Sequence, residues 1–458
     1  MSIIGELIGN LIETRFAQFD DIVLEKAKER VIDVIGCTIG GSDGPGCRPL
    51  IDLVLDWGGK QEATILVHGK KLPAGHAAMV NSVMARSYDF EPAGPIVEGK
   101  STPAHLSGTT VPTALAVSEQ IESTGKEFLG ALILGDDLAS RIIAASNLNI
   151  DSGWDCTGTA NAFGAVAIAS RLYGLNEQQT LNAFGIVINQ MAGTFQNIFD
   201  AVHTFKLPQG LASRDGIFSA ELAKKGFTGV RDPLFSNHGY FSLYTQSCSP
   251  EYLTKNLGRA FCADQTFKPY PCCRSNHAAI ECVLDLVTSN DIDLDKIERV
   301  SVDVSSKAFN FAVGQPFKIR DVPQIDAAFS LQYTVASTLL RKSVRLEHFT
   351  NNFILEPEIM ELVEKIALSP NLPSSAEPNG AVVKIMMNNG ETFEKSVDVP
   401  KGSDIFTPLT KDEKREKFLE NVYFSNALPL EQAKKALTLL DRLEDVENMR
   451  DVISMFVP

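Results

Sequence analysis

The chain has 458 residues, 44% of them hydrophobic and 22% charged, and its 42 basic and 57 acidic side chains leave a net charge of −15. That length supports two or three folded units with ample core, and the composition is that of a globular protein. The acidic balance argues against nucleic acid as a partner, because phosphate binding needs clustered cations, so an anion site here must be a local exception.

The first sixteen residues read as a helix, with Ile3, Ile4, Leu7, Ile8, Leu11 and Ile12 at helical spacing. Glu6 and Glu13 sit where a secretory signal would not place acids. Asp20 and Asp21 can cap a second helix that stops near Gly40 and Gly41. Residues 63–67 form a short apolar strand before a turn at Gly69. Helices are then expected over 74–88, 109–121, 127–145, 159–173, 177–194 and 211–225, separated by Gly, Pro and Ser breaks. Small residues on many of their faces allow close helix approach. No fixed repeat is present.

The pattern changes after about residue 265. Residues 300–304 alternate apolar and polar, a period-2 strand. Residues 382–387 and 392–399 flank Asn389-Gly390 as a hairpin. Helices over 327–340 and 357–368 lie between them. Beyond Pro400 the chain turns helical again, over 411–424 and 430–456. The expected fold class is therefore mainly α with an α+β insertion. A large helical domain (1–264 and 400–458) is interrupted by a smaller α+β lid domain (265–399), with a ligand cleft between them.

The eight cysteines show no Cys-x-x-Cys spacing, and no run approaches the ~18 apolar residues of a membrane span. Reduced thiols, no membrane partner and a cytoplasmic location are the expectation.

Four segments hold the candidate chemistry. Residues 267–277 gather Lys268, Tyr270, Arg274 and His277 at a helix entry, with Pro269 and Pro271 keeping the lead-in extended and Ser275 as the expected N-cap. Two permanent cations, one imidazole and a helix N-terminus suit a small carboxylate with a general base beside it. Asp89 and His105 bracket a polar, Gly/Pro-rich loop that is long for a helical domain. Lys206 lies in a break between helices. Gly94-Pro-Ile-Val-Glu-Gly-Lys-Ser101 matches the P-loop pattern formally, but no core strand leads into it, Pro103 follows closely and Glu98 would face the phosphates. A nucleotide is not expected.

In this order Asp89-Phe, His105-Leu-Ser-Gly, Gly153-Trp-Asp-Cys-Thr-Gly-Thr, Lys206 with Gly210 and Gly216, Gly226-Phe-Thr-Gly229, Lys268-Pro-Tyr-Pro-Cys with His277, and Ala327-Ala-Phe-Ser-Leu-Gln-Tyr333 resemble the MmgE/PrpD family across nearly the whole chain. That family includes dehydratases, decarboxylases and epimerases of small di- and tricarboxylates such as 2-methylcitrate, cis-aconitate and iminodisuccinate. The resemblance implies a homodimer with a metal-free and cofactor-free site. It carries Asp89, His105, Lys206, Lys268 and His277 into that site. Glu91-Pro-Ala follows where the family has Asp-Asp-Thr, Leu106 replaces a proline, and Asp155 stands where many members have histidine.

Such chemistry passes through a carbanion or enediolate beside a carboxylate, which needs clustered cations and a base near neutral pKa. The expected roles are His105 and His277 as acid/base groups, with Asp89 orienting His105. Lys206, Lys268 and Arg274 would hold carboxylates beside Tyr270. Asp155 would be a second proton-transfer group or a substrate-selecting change. The leading activity is a lyase, by dehydration or decarboxylation of a small polycarboxylate. An epimerase and a non-catalytic binding protein are the alternatives.

Overall fold

The structure, a computed structural model, describes residues 2–147, 153–373 and 379–458. Met1, part of the first expected helix, lies outside the described residues.

Helices α1 (Ile3–Glu13), α2 (Asp21–Gly40), α3 (Cys47–Trp57), α4 (Ala74–Ala85), α5 (Ser107–Ile121), α6 (Gly125–Ala145), α7 (Asn161–Leu172), α8 (Glu177–Val187), α9 (Gln196–Phe199) and α10 (Leu207–Lys224) come first, followed by the short α11 (Tyr240–Tyr244) and α12 (Glu251–Thr254). Local chemistry sets many of the boundaries. Asp20 accepts from Val23 N at the start of α2, and Thr124 with Glu127 forms a capping box on α6. Pro208 in the first turn of α10 lets that helix begin at Leu207, earlier than its apolar pattern suggests. The expected helix over 177–194 ends at Val187 instead.

The first hydrophobic core spans these helices and the C-terminal helices α19 (Lys411–Ser425), α20 (Leu430–Leu440) and α21 (Met449–Ser454). The expected helix over 430–456 is thus broken, and Asn448 caps its second piece. A second core lies between residues 272 and 387 and draws in Tyr88, Phe90 and Phe205. There α13 (His277–Ser289) packs on a sheet of order β7-β6-β8-β9 and on α16 (Leu331–Arg341). Strands β6 (Ile297–Val304) and β7 (Ile366–Ser369) are parallel; β8 (Ala381–Met387) and β9 (Thr392–Val397) extend the sheet antiparallel. Ile297, Val300, Val302 and Val304 turn inward with a period near two, as their spacing predicts. The expected helix over 327–340 is interrupted before Ser330, whose hydroxyl caps α16. The tail of the expected helix over 357–368 is β7 itself.

Two small elements matter for the site. The Gly/Pro-rich loop after Asp89 is a hairpin of β3 (Ala93–Val97) and β4 (Lys100–Ser101), turning at Glu98-Gly99. The lysine of the formal P-loop match, Lys100, donates to the Ala144 carbonyl and to Asn147 Oδ1. Strand β3 also pairs with β5 (Asp264–Thr266), which precedes Lys268.

Close approach of α10 to its neighbours depends on glycine. A Cβ on Gly216 would lie 2.4 Å from the Ala165 Cβ and 2.7 Å from its backbone carbon. Gly216→Ala gains roughly 1 kcal/mol of helix propensity. Overpacking against a rigid backbone should outweigh that gain, for a net loss of about 1–3 kcal/mol. A lower urea midpoint with unchanged slope is the expected result; an equal or higher midpoint would show that the α7–α10 contact is loose.

Candidate active site

The last turn of α4 and the residues after it carry Arg86, Ser87, Asp89 and Glu91. All are buried. Arg86 Nη1 lies 2.7 Å from Asp89 Oδ1 and 2.5 Å from Glu91 Oε1. Lys268 arrives from beyond β5 and donates to Asp89 twice, to Oδ2 at 2.7 Å and to the main-chain oxygen at 2.6 Å. Lys417 of α19 holds the next carbonyl, that of Phe90, at 2.8 Å while paired with Asp33. Asp89 takes a φ of +49°, the left-handed region that L residues enter at a cost of order 1 kcal/mol. The two lysines over-determine that conformation.

His105 meets this cluster just before α5. Its Nδ1 is 3.1 Å from Glu91 Oε1 and 2.8 Å from Arg86 Nη1. Nη1 donates to Glu91 Oε1 and to His105 Nδ1, and its contact with Asp89 Oδ1 is ionic only, so Nδ1 accepts and the neutral ring carries its hydrogen on Nε2. That N–H lies 4.0 Å from Asp89 Oδ1. The sequence pointed to Asp89 as the group orienting His105; the hydrogen bond to its ring comes from Arg86, with Glu91 3.1 Å away. Neither was singled out as a functional residue. The one signal was the acid-rich turn after the expected helix. Burial, Arg86 and Lys268 push the His105 imidazole below its ordinary range, against the pull of Glu91. Burial alone would raise the Glu91 carboxyl, but Arg86 and His105 hold it well below the usual carboxylate range. His105 keeps 17% of its side chain exposed, whereas Asp89, Glu91 and Lys268 are closed off.

Asp89, Glu91 and His105 converge closely enough to ligate a metal ion. Arg86 Nη1 already fills the point where their ligand atoms meet, so a second cation there would face a guanidinium at contact distance.

The other expected site residues take different positions. Asp155 is buried, accepts from Thr157 N at 2.9 Å and contributes to the field at Arg86. Lys206 is 2% exposed and reaches Ser87 Oγ at 3.0 Å and Cys47 Sγ at 3.3 Å. Burial pushes its ammonium pKa down. Arg274 donates to the carbonyls of Pro400 and Lys401, and burial brings it down to about 10. Lys206 has no carboxylate partner among the described residues, whereas the Glu281 carboxylate acts on Arg274 and opposes the effect of burial. Tyr270 packs edge-on against His277, with ring centres 5.1 Å apart.

His277, expected as a proton-transfer group, is closed. Its Nδ1 faces Arg274 at 3.2 Å and its Nε2 faces the Cys272 carbonyl at 3.3 Å, so both nitrogens are engaged in a neutral ring. Burial, then Arg274 and Lys268, hold its pKa well below normal. Ser275 does not cap α13. A 3-10 turn, Arg274–Asn276, precedes that helix, and the Ser275 hydroxyl goes to Asn379.

A cavity of about 280 Å³ adjoins the segment through Phe90, Pro269 and Pro271. Its walls are mainly Leu346, Leu419, Tyr423 and Phe424, with none of the charged cluster. The site is a closed polar junction, not an open pocket. No helix among the described residues is long and apolar enough to cross a membrane.

The MmgE/PrpD N-terminal domain pattern matches residues 8–253, and the MmgE/PrpD C-terminal domain pattern matches residues 270–445. The chain belongs to the MmgE/PrpD family. Curated relatives include the cis-aconitate decarboxylase-like protein oryM of Aspergillus oryzae, 24% identical over 91% of this chain and 90% of its own length. The cis-aconitate decarboxylase of Aspergillus terreus is 25% identical over 84% and 82%. That of Mus musculus is 24% identical over 98% and 92%.

The depressed His277 pKa has a thermodynamic consequence with a fixed sign. Below about pH 6.5 the unfolded chain takes up a proton that the native ring refuses, so stability falls as pH drops, by at most about 1.4 kcal/mol per pH unit. His277→Gln should lessen the stability lost between pH 6.5 and 5. Parallel unfolding curves for the two proteins across that window would contradict the buried neutral ring.

Proposed function

We propose that this chain is a lyase acting on a small di- or tricarboxylate, with decarboxylation of cis-aconitate as the reaction to test first, and that His105 moves the proton. The observation that carries this reading is the combination at one junction. An imidazole has Nδ1 held by Arg86 and the other nitrogen free, and Lys206, a buried cation reaching Ser87 Oγ beside Arg86, has no carboxylate partner among the described residues. Uncompensated buried cations are expensive, and a polycarboxylate is the ligand that would neutralise them. The names of the curated relatives agree with such a substrate.

In the proposed step the bond to a terminal carboxylate breaks and its electron pair moves into the adjoining double bond. Carbon dioxide leaves, and His105 Nε2 delivers one proton to the far carbon. Arg86, donating to Nδ1, steadies the ring while Nε2 gives up its proton and regains one from water. Dehydration uses the same N–H to protonate the leaving hydroxyl, which departs as water, while Asp155 takes the proton next to a carboxylate. No metal or cofactor is required for either step.

Asp155 favours a second reading. A buried carboxylate beside Arg86 could serve as a second proton-transfer group, which suits an epimerase that exchanges an α-proton without changing the carbon skeleton. Incubation in heavy water separates the two. Loss of a carboxyl group with one deuterium in the product supports the lyase, and exchange without a new skeleton supports the epimerase.

The roles predict distinct kinetic signatures. His105→Gln should lower kcat by about 10²–10⁴ with little change in KM, the usual contribution of a positioned acid/base group. Lys206→Met should act mainly through KM, raising it about tenfold or more through loss of a charge-assisted contact. Full activity in His105→Gln, or an unchanged KM in Lys206→Met, would refute the corresponding assignment.

A further inference from the structure

Asp264 opens β5 at the junction between the two matched family segments, and nothing in the sequence patterns singles it out. It is buried, and its Oδ2 accepts two main-chain N–H groups, from Leu106 at 3.0 Å and Ser107 at 2.7 Å. Those are the two residues after His105 and the first turn of α5. That helix has no cap from its own N-cap residue, Leu106. Asp264 therefore supplies the cap from 157 positions away, placing a carboxylate at the positive end of the helix. On the other side Asn161 Nδ2 donates to the His105 carbonyl at 2.6 Å. The register of β5 on β3, Pro95 opposite Asp264, locks the carboxylate to the hairpin that follows Glu91. The main chain of His105 is thus gripped from both sides while Arg86 holds its ring. The second oxygen of Asp264, Oδ1, is buried without a hydrogen-bond partner, a costly arrangement for a residue that only stabilises the fold.

The geometry points to Asp264 as a positioning residue that sets His105 for proton transfer through the first turn of α5. This rests on the role given to His105 above. Burial raises the Asp264 carboxyl to about 7, with Asp136 adding to the rise and the N–H groups of Ser107 and Leu106 opposing it. The ionisable groups around it are Asp136 of α6, itself 3.3 Å from Arg30 of α2, and the Cys156 thiol near the start of α7. The β3 residues opposite it, from Ala93 to Pro95, carry no charge. A folded pKa above the unfolded value of about 3.9 means that the stability contributed by the protonated form is lost as pH rises through 7. At pH 8 the charged cap is held at the expense of the fold.

The test is Asp264→Asn and Asp264→Ala in the full chain, read by steady-state kinetics, thermal unfolding at pH 8 and the His105 imidazole NMR signal, identified by its loss in His105→Gln. The expected result for Asp264→Ala is a fall in kcat of at least about tenfold from misplacing a reacting group, with KM within about threefold. Asp264→Asn keeps an acceptor for the two N–H groups. It should recover part of kcat, flatten the rise of kcat between pH 6 and 8, move the His105 signal and unfold no earlier than wild type at pH 8. Wild-type kcat with an unmoved His105 signal in Asp264→Asn would overturn the proposal. So would parallel losses of activity and stability with that signal unmoved, which would mark a structural cap only. If Asp264→Ala does not fold, Asp264→Asn decides alone. If the wild type turns over no carboxylate offered, the lyase reading fails, and the His105 signal still decides whether Asp264 positions it.

Discussion

Four charges shut away from water at the end of α4 constrain the rest of the molecule. Arg86, Asp89, Glu91 and Lys268 neutralise one another at 2.5–2.7 Å. Losing any one would leave a buried charge unpaired, at a cost of about 3–5 kcal/mol. The partners therefore cannot move independently. The left-handed turn at Asp89, the ring orientation of His105 and the docking of the segment after β5 follow from satisfying this set together. A buried pair adds little net stability, so its evident use is to fix geometry: it holds one imidazole nitrogen as an acceptor and leaves the other free to carry the hydrogen.

The junction is built from distant parts of the chain. Lys268 comes from 179 positions beyond Asp89, and Lys417 from 327 positions beyond Phe90. Phe205 lies under the Arg86 guanidinium at 5.7 Å. The site exists only when the N-terminal helices, α19 and the segment leading to α13 are folded against one another. Lys206, held among the described residues by Ser87 Oγ and Cys47 Sγ alone, is a buried cation satisfied by neutral groups.

Much of the fold was legible because its signals are local. The period of apolar residues in α2, α6 and β6 and the capping residues Asp20 and Thr124 act within a few positions. Where a single helix was expected over 327–340 or 430–456, periodicity persists across a real break, and only the caps at Ser330 and Asn448 reveal it. The hairpin β3–β4 was hidden because Gly and Pro dominate it and β5 supplies its partner from far away. The site divides in the same way. Asp89, His105 and Lys268 were found through family-like motifs, and they do meet. Arg86 and Glu91 escaped because their importance comes from being paired in the interior, which spacing does not encode. His277 was expected as an acid/base group; Arg274 and the Cys272 carbonyl engage both its nitrogens, a tertiary detail invisible in the segment. Asp264 left no trace at all, because its partners are main-chain N–H groups of a remote helix.

The central claim is that the buried charges fix the protonation geometry of His105. Long-range ¹H–¹⁵N NMR of the histidine-labelled protein tests it without any substrate. The account predicts that near pH 7 His105 is a neutral ring with hydrogen on Nε2 and Nδ1 accepting from Arg86, and that Arg86→Gln loosens this preference towards a mixture of the two tautomers. A wild-type His105 carrying its hydrogen on Nδ1, or one unaffected by Arg86→Gln, would contradict it.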